Sequence, residues 1–229
     1  MGRQMNTVAL LPMKAHSERV PGKNFRTLGE KPLYRWILET LLSVEEIELV
    51  VINTDARKLL EESGLRDSQR VLIRDRPEEL CGDFVSMNKV LENDLQNVVA
   101  ETYLMTHTTN PFVKPLTVER ALQTYREQLS GGSNDSLFSV NRIQSRFYKA
   151  DGKPVNHDPN QLIRTQDLEP WYEENSCLYL FSHDSFSKTN ARIGTSPYLF
   201  EMQQLESIDI DDKEDWQLAS LIASAKSVH

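Results

Sequence analysis

Apolar residues in the first 140 positions alternate between short continuous runs and stretches with a helical period. The runs predict strands at 8–11, 47–52, 70–73, 98–105 and 136–140. The periodic stretches predict helices at 32–43, 55–60, 86–95 and 117–128. Asp55 is predicted to cap the second helix. This alternation predicts an α/β fold, a mostly parallel twisted sheet with helices on both faces.

The pattern changes after Asn141, where turn residues become frequent. The pair Asp151–Gly152 favours a hairpin in this region. We interpret 141–174 as a β-arm inserted into a single domain that spans 1–229, rather than as a second domain. Further strands are predicted at 177–181 and 206–211, and a final helix at 213–225.

Length and composition favour an ordinary globular protein. The chain has 229 residues, of which 39% are hydrophobic, and a formal net charge of −8. This charge argues against general nucleic-acid binding and against docking on anionic membranes. Cys81 and Cys177 lack metal-ligand spacing. With no apolar segment of about 20 residues and too short an N-terminal run for a signal peptide, we expect a reduced cytoplasmic protein.

The first predicted strand leads into a cationic loop. Lys14, Arg19 and Lys23 lie within ten residues, and Pro21 and Gly22 turn the chain between them. A loop at the carboxyl end of a first parallel strand is where open α/β sheets hold phosphorylated ligands. Three cations there suit a polyanion such as a nucleoside triphosphate. The alternative is a solvated surface loop whose charges face water.

An acidic motif, SIDIDD at 207–212, precedes the final helix. Alternation along a strand would place Asp209 and Asp211 on one face, roughly 7 Å apart. Magnesium usually takes one or two carboxylates and completes its shell with water and substrate phosphates. The alternative is helix capping, which suits Asp212 but not Asp209, because Asp209 lies too far before the helix.

The segment LPMKAHSERVPGKN at 11–24 resembles the signature loop of the acylneuraminate cytidylyltransferases, the CMP-sialic acid synthetases and their relatives. Lys14, His16 and Glu18 stand where that family usually has Arg, Gly and Lys. Other motifs of the family follow in the same order over nearly the whole chain. They are Asn53-Thr54-Asp55, Arg76-Pro77, Asn110-Pro111, Arg164-Thr165-Gln166-Asp167, Asn175 before the strand with Tyr179, and the SIDID segment.

The resemblance implies a Rossmann-like nucleotidyltransferase fold, Mg²⁺ as cofactor, and a reaction in which CTP and a 2-keto-3-deoxy sugar acid give a CMP-sugar and pyrophosphate. It assigns catalysis to Lys23, Asp209 and Asp211, with the two aspartates as metal ligands. It assigns the nucleotide to Lys14, Arg19, Lys23, Asn24, Arg76, Asp83 and Ser86. It assigns the sugar acid to His107, Arg164, Gln166, Asn175 and Tyr179. It also implies a homodimer in which the arm reaches across to the neighbouring subunit.

Alternative interpretations stay open at this point. Arg164 could form a salt bridge with Asp167 or Glu169, Tyr179 could be a core residue, and His107 could be structural. The arm could fold onto its own domain. The chain could be a sugar-1-phosphate nucleotidyltransferase, or a nucleotide-sugar binding protein that has lost catalysis. The changed residues His16 and Glu18 motivate the last alternative, and the retained pair of aspartates argues against it.

Overall fold

The computed structural model describes residues 5–82 and 84–226. Within them the chain forms nine strands, β1 Met5–Leu10, β2 Thr27–Leu28, β3 Lys31–Pro32, β4 Leu49–Thr54, β5 Val71–Asp75, β6 Ala100–Met105, β7 Ser136–Ile143, β8 Trp171–Phe181 and β9 Pro197–Glu201. The α-helices are α1 Leu33–Ser43, α2 Arg57–Glu62, α3 Met87–Asn97, α4 Pro115–Ser130, α5 His183–Thr189 and α6 Lys213–Lys226. No helix among the described residues has both the length and the apolar character needed to cross a membrane.

Seven strands form one sheet in the order β5-β4-β1-β6-β8-β7-β9. Every pairing is parallel except those of β8, which runs antiparallel to both β6 and β7. The predicted mostly parallel α/β fold is therefore confirmed. The chain passes from β1 outward to β4 and β5, and then returns to the other side of β1 with β6. This reversal of strand order creates a crevice at the carboxyl ends of β1 and β6.

Apolar side chains cover both faces of the sheet because successive residues of a strand point to opposite sides. Ala9 and Leu11 pack with α1, α2 and α4 on one face, and Val8 and Leu10 pack with α3 and α5 on the other. A third apolar cluster joins α6 to the start of α1 and includes Ile210 and Trp216. This cluster brings the segment before α6 close to the carboxyl ends of the central strands.

Two expectations about local structure were wrong. The segment 206–211 is not a strand. Ile210 N donates to Thr109 O at 2.9 Å, but this hydrogen bond does not continue into a ladder with a neighbouring strand. Asp55 does not cap α2, since Ala56 holds the N-cap position without a side-chain cap. The carboxylate of Asp55 instead accepts from Ala15 N at 2.6 Å. Helix α5 and strand β9 were not predicted.

The arm lies between β7 and β8, which continue beyond the body of the sheet as an antiparallel pair. The expected hairpin is present, with Tyr148 bridged to Pro154 and Gly152 at φ +80° in the turn. Phe147 stacks on Trp171, with ring centroids 5.2 Å apart. The interpretation of 1–229 as a single domain stays a prediction.

Candidate active site

An open cleft of about 360 Å³ lies at the crevice between the carboxyl ends of β1 and β6. One wall is the cationic loop after β1, and the other is the segment after β6. The lining residues used below are Lys14, Arg19, Lys23, Asn24, Met87, His107, Thr108, Thr109 and Asp211. The sequence thus places its cationic loop at a crevice where open α/β sheets bind ligands.

The loop is held by contacts to two neighbouring segments and by one hydrogen bond within itself. Its Ala15 N–H is bound by Asp55 after β4. Asn24 Nδ2 donates to Lys14 O at 2.8 Å, and Asn24 Oδ1 accepts from Thr108 Oγ1 at 2.6 Å. Gly22 has φ +63° at the start of a short 3₁₀ helix, a conformation that favours glycine. These contacts fix the conformation of the loop, and both the Nδ2 and the Oδ1 atom of Asn24 take part in them.

The cations of the loop face the acidic motif across this cleft. Arg19 Nη1 lies 3.3 Å from Asp211 Oδ2, and Lys23 Nζ lies 3.5 Å from Asp211 Oδ1. Lys23 is nearly buried and also donates to Ile210 O at 2.5 Å. Arg19 and Asp211 are largely exposed, so their pair contributes little to stability and its charges are accessible to a ligand.

Asp209 lies deeper than Asp211. Its Oδ1 atom is buried and has no hydrogen-bond partner. Burial raises the pKa of this carboxyl above its ordinary value, a hydrogen bond from Thr109 opposes the rise, and the nearby charge of Asp211 adds to it. A buried carboxylate oxygen without a partner is a costly group, and a cation can compensate for it.

The oxygen ligands at Asp209 and Asp211 fit the chemistry of magnesium, which takes one or two protein carboxylates and leaves other positions to water and phosphate. Within 5–82 and 84–226, no group of three or more His, Cys, Asp or Glu residues is arranged to hold a metal ion. The pair therefore suits a metal shared with a phosphorylated ligand rather than an ion held by protein alone. Asp212, which follows this pair, caps helix α6 as the sequence suggested. Its Oδ1 accepts hydrogen bonds from Glu214 N and Asp215 N.

Other residues assigned to the nucleotide have differing positions. Lys14 Nζ donates to Gly82 O at 3.0 Å at the edge of the cleft. Arg76 is buried below the loop, where it donates to Asn53 and to Met13 O. It supports the loop from behind, and a direct contact with a nucleotide stays a prediction. Ser86 caps α3 and lines a neighbouring pocket, and Asp83 lies outside the described residues.

His107 and Tyr179 both accept hydrogen bonds from one arginine, which was not predicted from the sequence. Arg192 Nη1 donates to His107 Nε2 at 3.2 Å, and Arg192 Nη2 donates to Tyr179 Oη at 2.8 Å. Burial, together with the charges of Arg192 and Lys23, lowers the pKa of His107 to about 3. His107 is therefore neutral near pH 7 and accepts through Nε2. Tyr179 is a fully buried core residue whose hydroxyl also donates to Glu174.

Three residues assigned to the sugar acid do not line the cleft. Arg164 forms a two-point salt bridge with Asp167 on the arm, at 2.7 and 3.0 Å, as the alternative interpretation expected. Gln166 is exposed on the same segment. Asn175 is buried at the bulge between β7 and β8, where Ser139 Oγ and Cys177 N donate to its Oδ1. Within one chain, the positions of these three side chains do not support their assignment to the sugar acid.

Three residues at or beside the cleft, Thr108, Thr109 and Arg192, were not predicted from the sequence. The first two lie three and four residues after the end of β6, so the rule that ligands bind at the carboxyl ends of parallel strands could have indicated them. Arg192 follows α5, which was not predicted. The pattern Ser182…Ser185, a capping box in the structure, is the signal that could have indicated that helix.

The sheet order, the cationic loop and the acidic pair together define a nucleotidyltransferase type of site. Residues 8–227 match the family model described as "Cytidylyltransferase", and the chain belongs to that family. The family resemblance found in the motifs is therefore confirmed, with this chain as a divergent member.

Its relatives include the "CMP-N,N'-diacetyllegionaminic acid synthase" of Legionella pneumophila, 26% identical, with 93% of this chain and 94% of that protein covered. The "N-acylneuraminate cytidylyltransferase" of Escherichia coli is 23% identical over 96% of this chain, which spans only 52% of that protein. The "Pseudaminic acid cytidylyltransferase" of Campylobacter jejuni is 21% identical, with 95% and 96% covered.

Solved structures agree in fold. A CMP:2-keto-3-deoxy-manno-octonic acid synthetase complexed with CTP superposes with a TM-score of 0.68 at 14% identity, covering 96% of this chain and 99% of the other. The 4-diphosphocytidyl-2C-methyl-D-erythritol synthase of Anaerococcus prevotii gives 0.65 at 12% identity, with 96% of each chain covered. At these identities the likeness supports the nucleotidyltransferase fold.

Proposed function

We propose that this cytidylyltransferase activates a 2-keto-3-deoxy sugar acid, transferring CMP from CTP to its anomeric hydroxyl. The observation that carries the proposal is the single cleft in which Arg19 and Lys23 face Asp211. Relatives whose names specify legionaminic, pseudaminic and N-acylneuraminic acids cover nearly the whole chain and support a sugar acid as acceptor.

In the proposed reaction the anomeric oxygen attacks the α-phosphorus of CTP and loses its proton. The bond from that phosphorus to the oxygen bridging to the β-phosphorus breaks, and pyrophosphate leaves. Lys23 is suited to stabilise the charge that develops on the phosphoryl oxygens, because its ammonium is fixed by Ile210 O inside the cleft. Lys14 and Arg19 also line the cleft, where they can hold the leaving pyrophosphate.

Asp209 and Asp211 would hold the Mg²⁺ that the family resemblance implies. When bound, the ion supplies positive charge to the phosphate oxygens. The carboxylate of Asp211 contacts both Arg19 and Lys23. The proposed metal site therefore lies next to the cations that we propose bind the triphosphate. Asn24 and Thr108 hold the loop in shape. Neutral His107 presents a polar ring to the cleft.

A homodimer in the cytoplasm completes the proposal. The arm carries apolar side chains that are exposed in one chain, among them Leu162, Ile163, Trp171 and Tyr172. Exposed apolar residues close together are typical of an interface. In such a dimer Arg164 and Gln166 would reach the sugar acid of the neighbouring subunit. Within one chain they lie away from the cleft, so their assignment to the sugar acid depends on this dimer.

A pyrophosphate-release assay tests the function. CTP, UTP, GTP and ATP are each combined with Mg²⁺ and with a panel of eight- and nine-carbon sugar acids or with sugar 1-phosphates. We expect turnover with CTP and a sugar acid. Turnover with sugar phosphates alone would establish the sugar-1-phosphate alternative, and binding of CTP without turnover of any acceptor would establish an inactive binding protein.

Variants connect that assay to the site. Replacing Asp209 and Asp211 together by Asn should lower turnover about 100-fold or more, because the metal ligands are removed. Lys58→Met, on the exposed surface of α2, is a control that should retain full activity. Unchanged turnover in the double aspartate variant would show that the proposed metal role is wrong.

A further inference from the structure

Asp94 is an acidic side chain that is fully buried on α3 and does not line the cleft. Its Oδ1 accepts hydrogen bonds from Asn53 Nδ2 at 2.7 Å and from Arg74 Nη1, and its Oδ2 has no hydrogen-bond partner among the described residues. Burial raises the pKa of this carboxyl, and the contacts with Asn53 and Arg74 oppose the rise. A buried ion pair is often no more stabilising than apolar residues of similar volume, so stability alone does not account for Asp94.

The contacts of Asp94 determine the orientation of the Asn53 amide. An ionised carboxylate can only accept hydrogen bonds, and an arginine can only donate them. Asn53 lies between these two types of group, because its Nδ2 donates to Asp94 and its Oδ1 accepts from Arg76 Nε at 2.8 Å. The amide therefore has one orientation, with its oxygen toward Arg76. Removing the Asp94 carboxylate would leave Nδ2 without this acceptor, and the amide would be freer to rotate.

Arg76 extends the same set of hydrogen bonds to the start of the cationic loop. Its Nη2 donates to Asn53 O at 2.8 Å and to Met13 O at 3.3 Å. Met13 N in turn donates to Asn53 O at 3.0 Å. Both backbone polar groups of Met13 are thus held, and Met13 and the following Lys14 line the cleft. The hydrogen bonds form one continuous path from α3, through β4, to the base of the loop.

We propose that Asp94 is a positioning residue for the nucleotide, which acts through Asn53 and Arg76 to fix the conformation in which the loop after β1 receives a triphosphate. The inference rests on the proposed function, because the ligand is the CTP of that reaction. Within the part of the chain that the structure describes, the Asp94 side chain makes no hydrogen bond to the loop itself. Its effect should therefore pass through the Asn53 amide. A loop that is ordered before the ligand arrives binds more tightly, because less freedom is lost on binding.

Calorimetric titration with CTP and Mg²⁺, without an acceptor, tests this path. Asp94→Ala and Asn53→Ala should each raise the Kd for CTP about tenfold, because the loop must then be ordered on binding. The double variant should differ from either single variant by less than about threefold, since the two residues act on the loop in series. Independent effects would multiply to about 100-fold in the double variant and would overturn the inference, as would an unchanged Kd in Asp94→Ala.

Asp94→Asn separates the hydrogen bond from the charge. This variant keeps a side-chain oxygen that can accept from Asn53, so it should bind CTP within about threefold of the wild type. A tenfold loss in Asp94→Asn would overturn the inference, because the charge and not the amide orientation would then be what matters. Asn53→Ala tests the path without removing the partner of Arg74, so an unchanged Kd in this variant would overturn the inference even if Asp94→Ala does not fold.

Asp67→Ala is the control for a general loss of stability. Asp67 also binds an arginine and a group on β5, because it accepts from Arg57 Nη1 at 3.1 Å and from Ile73 N at 2.7 Å. Asp67 does not line the cleft, so its removal should leave the Kd for CTP unchanged. A tenfold rise in this control as well would overturn the inference, because it would indicate that any weakened contact at β5 impairs binding.

Amide hydrogen exchange of the free protein gives a measurement that needs no nucleotide. Exchange at Met13 and Ala15 should be about tenfold faster in Asp94→Ala and Asn53→Ala than in the wild type, because the base of the loop opens more often. Asp67→Ala should exchange at the wild-type rate at these positions. If the wild type does not bind CTP, the proposed function fails, and the exchange rates still decide whether Asp94 positions the loop. Unchanged exchange in Asp94→Ala would overturn the inference.

Discussion

Asp209 is a side chain that destabilises the fold and is proposed to take part in the reaction. Its pKa lies above the ordinary value because burial disfavours the carboxylate. The folded state therefore binds this proton more tightly than the unfolded chain does. The stability it contributes is present at low pH and is lost as the pH rises through the folded-state pKa. At pH 7 the carboxylate is a cost to the fold.

Asp209→Asn should therefore raise the unfolding temperature at pH 7 without metal, while it lowers turnover. A change of 1 kcal/mol corresponds to about 2–4 °C in a chain of this size, and we expect a rise of that order in calorimetry with EDTA. Added Mg²⁺ and CTP should stabilise the wild type more than the variant. Glu119→Gln, at an exposed carboxylate of α4, should change neither quantity; a lower unfolding temperature in Asp209→Asn would contradict the argument.

His107 predicts a pH dependence of the opposite sign. Its pKa is lowered from 6.5 to about 3, so the folded state binds this proton less tightly than the unfolded chain. Its contribution to stability is present above pH 6.5 and is lost as the pH falls toward 3, by at most about 1.4 kcal/mol per pH unit. His107→Gln, which can still accept from Arg192, should lose less stability than the wild type between pH 7 and 5.

Urea unfolding at pH 7, 6 and 5 measures this difference. The gap in unfolding free energy between the wild type and His107→Gln should narrow by about 2 kcal/mol between pH 7 and 5. His183→Gln, at an exposed position in α5, is the matched control and should follow the wild type. Parallel curves for the wild type and His107→Gln would show that His107 is not held neutral.

At the scale of elements, the loop after β1 depends on a tether from a neighbouring strand. Asp55 follows β4, and its carboxylate holds Ala15 N at 2.6 Å. A hydrogen bond to a charged group contributes about 1.5–3 kcal/mol, so Asp55→Ala should raise the KM for CTP about tenfold or more. Steady-state kinetics at saturating acceptor measure this. Asp75→Ala removes a carboxylate that binds Arg57 at the end of β5, and should leave the KM unchanged; an unchanged KM in Asp55→Ala would contradict the tether.

The sequence was sufficient to predict the elements that carry a continuous apolar run or an apolar stripe with helical period. The strand after residue 47 and the helix after Pro32 were predicted within two residues of their observed ends, because local periodicity reflects burial. The segment 206–211 was assigned wrongly as a strand. Its alternation of Ile and Asp comes from Ile210 entering the α6 cluster while Asp211 faces the cleft, and no neighbouring strand is needed for that.

The site was predictable only where short contiguous motifs carry its chemistry. Lys23 and Asp211 could be named from motifs, and the structure brings them within 3.5 Å. Arg192 could not, since its relation to His107 depends on β8 and α5 folding back beside β6. Asn175 had a suitable residue type, but its amide is used at a bulge that pairing between two distant strands creates.

At the scale of the whole molecule, a net charge of −8 coexists with a site for an anionic substrate. The sheet order reconciles the two facts. The reversal of direction at β1 gathers the three cations of one loop at one crevice, and the rest of the surface can stay acidic. The arm is the part of the chain that contributes no side chain to the cleft of its own subunit.

The arm therefore provides the test of assembly. Leu162 and Ile163 are 80% and 46% exposed on it, and a second chain that covers them would bury apolar surface. Light scattering should give the wild type twice the chain mass of 26.4 kDa. Leu162→Ser combined with Ile163→Ser should shift the mass to that of one chain and reduce turnover, because Arg164 and Gln166 would lose the neighbouring site.

A matched pair on α6 separates a specific interface from a general change in surface polarity. Leu218 and Leu221 are 49% and 71% exposed, close to the values on the arm. Leu218→Ser combined with Leu221→Ser removes comparable apolar area from a helix outside the arm and should leave a fully active dimer. If both double variants stay dimeric, the arm is not the interface. If the arm variant is a monomer with full turnover, each subunit has a complete active site, and the assignment of Arg164 and Gln166 to the sugar acid of the neighbour is wrong.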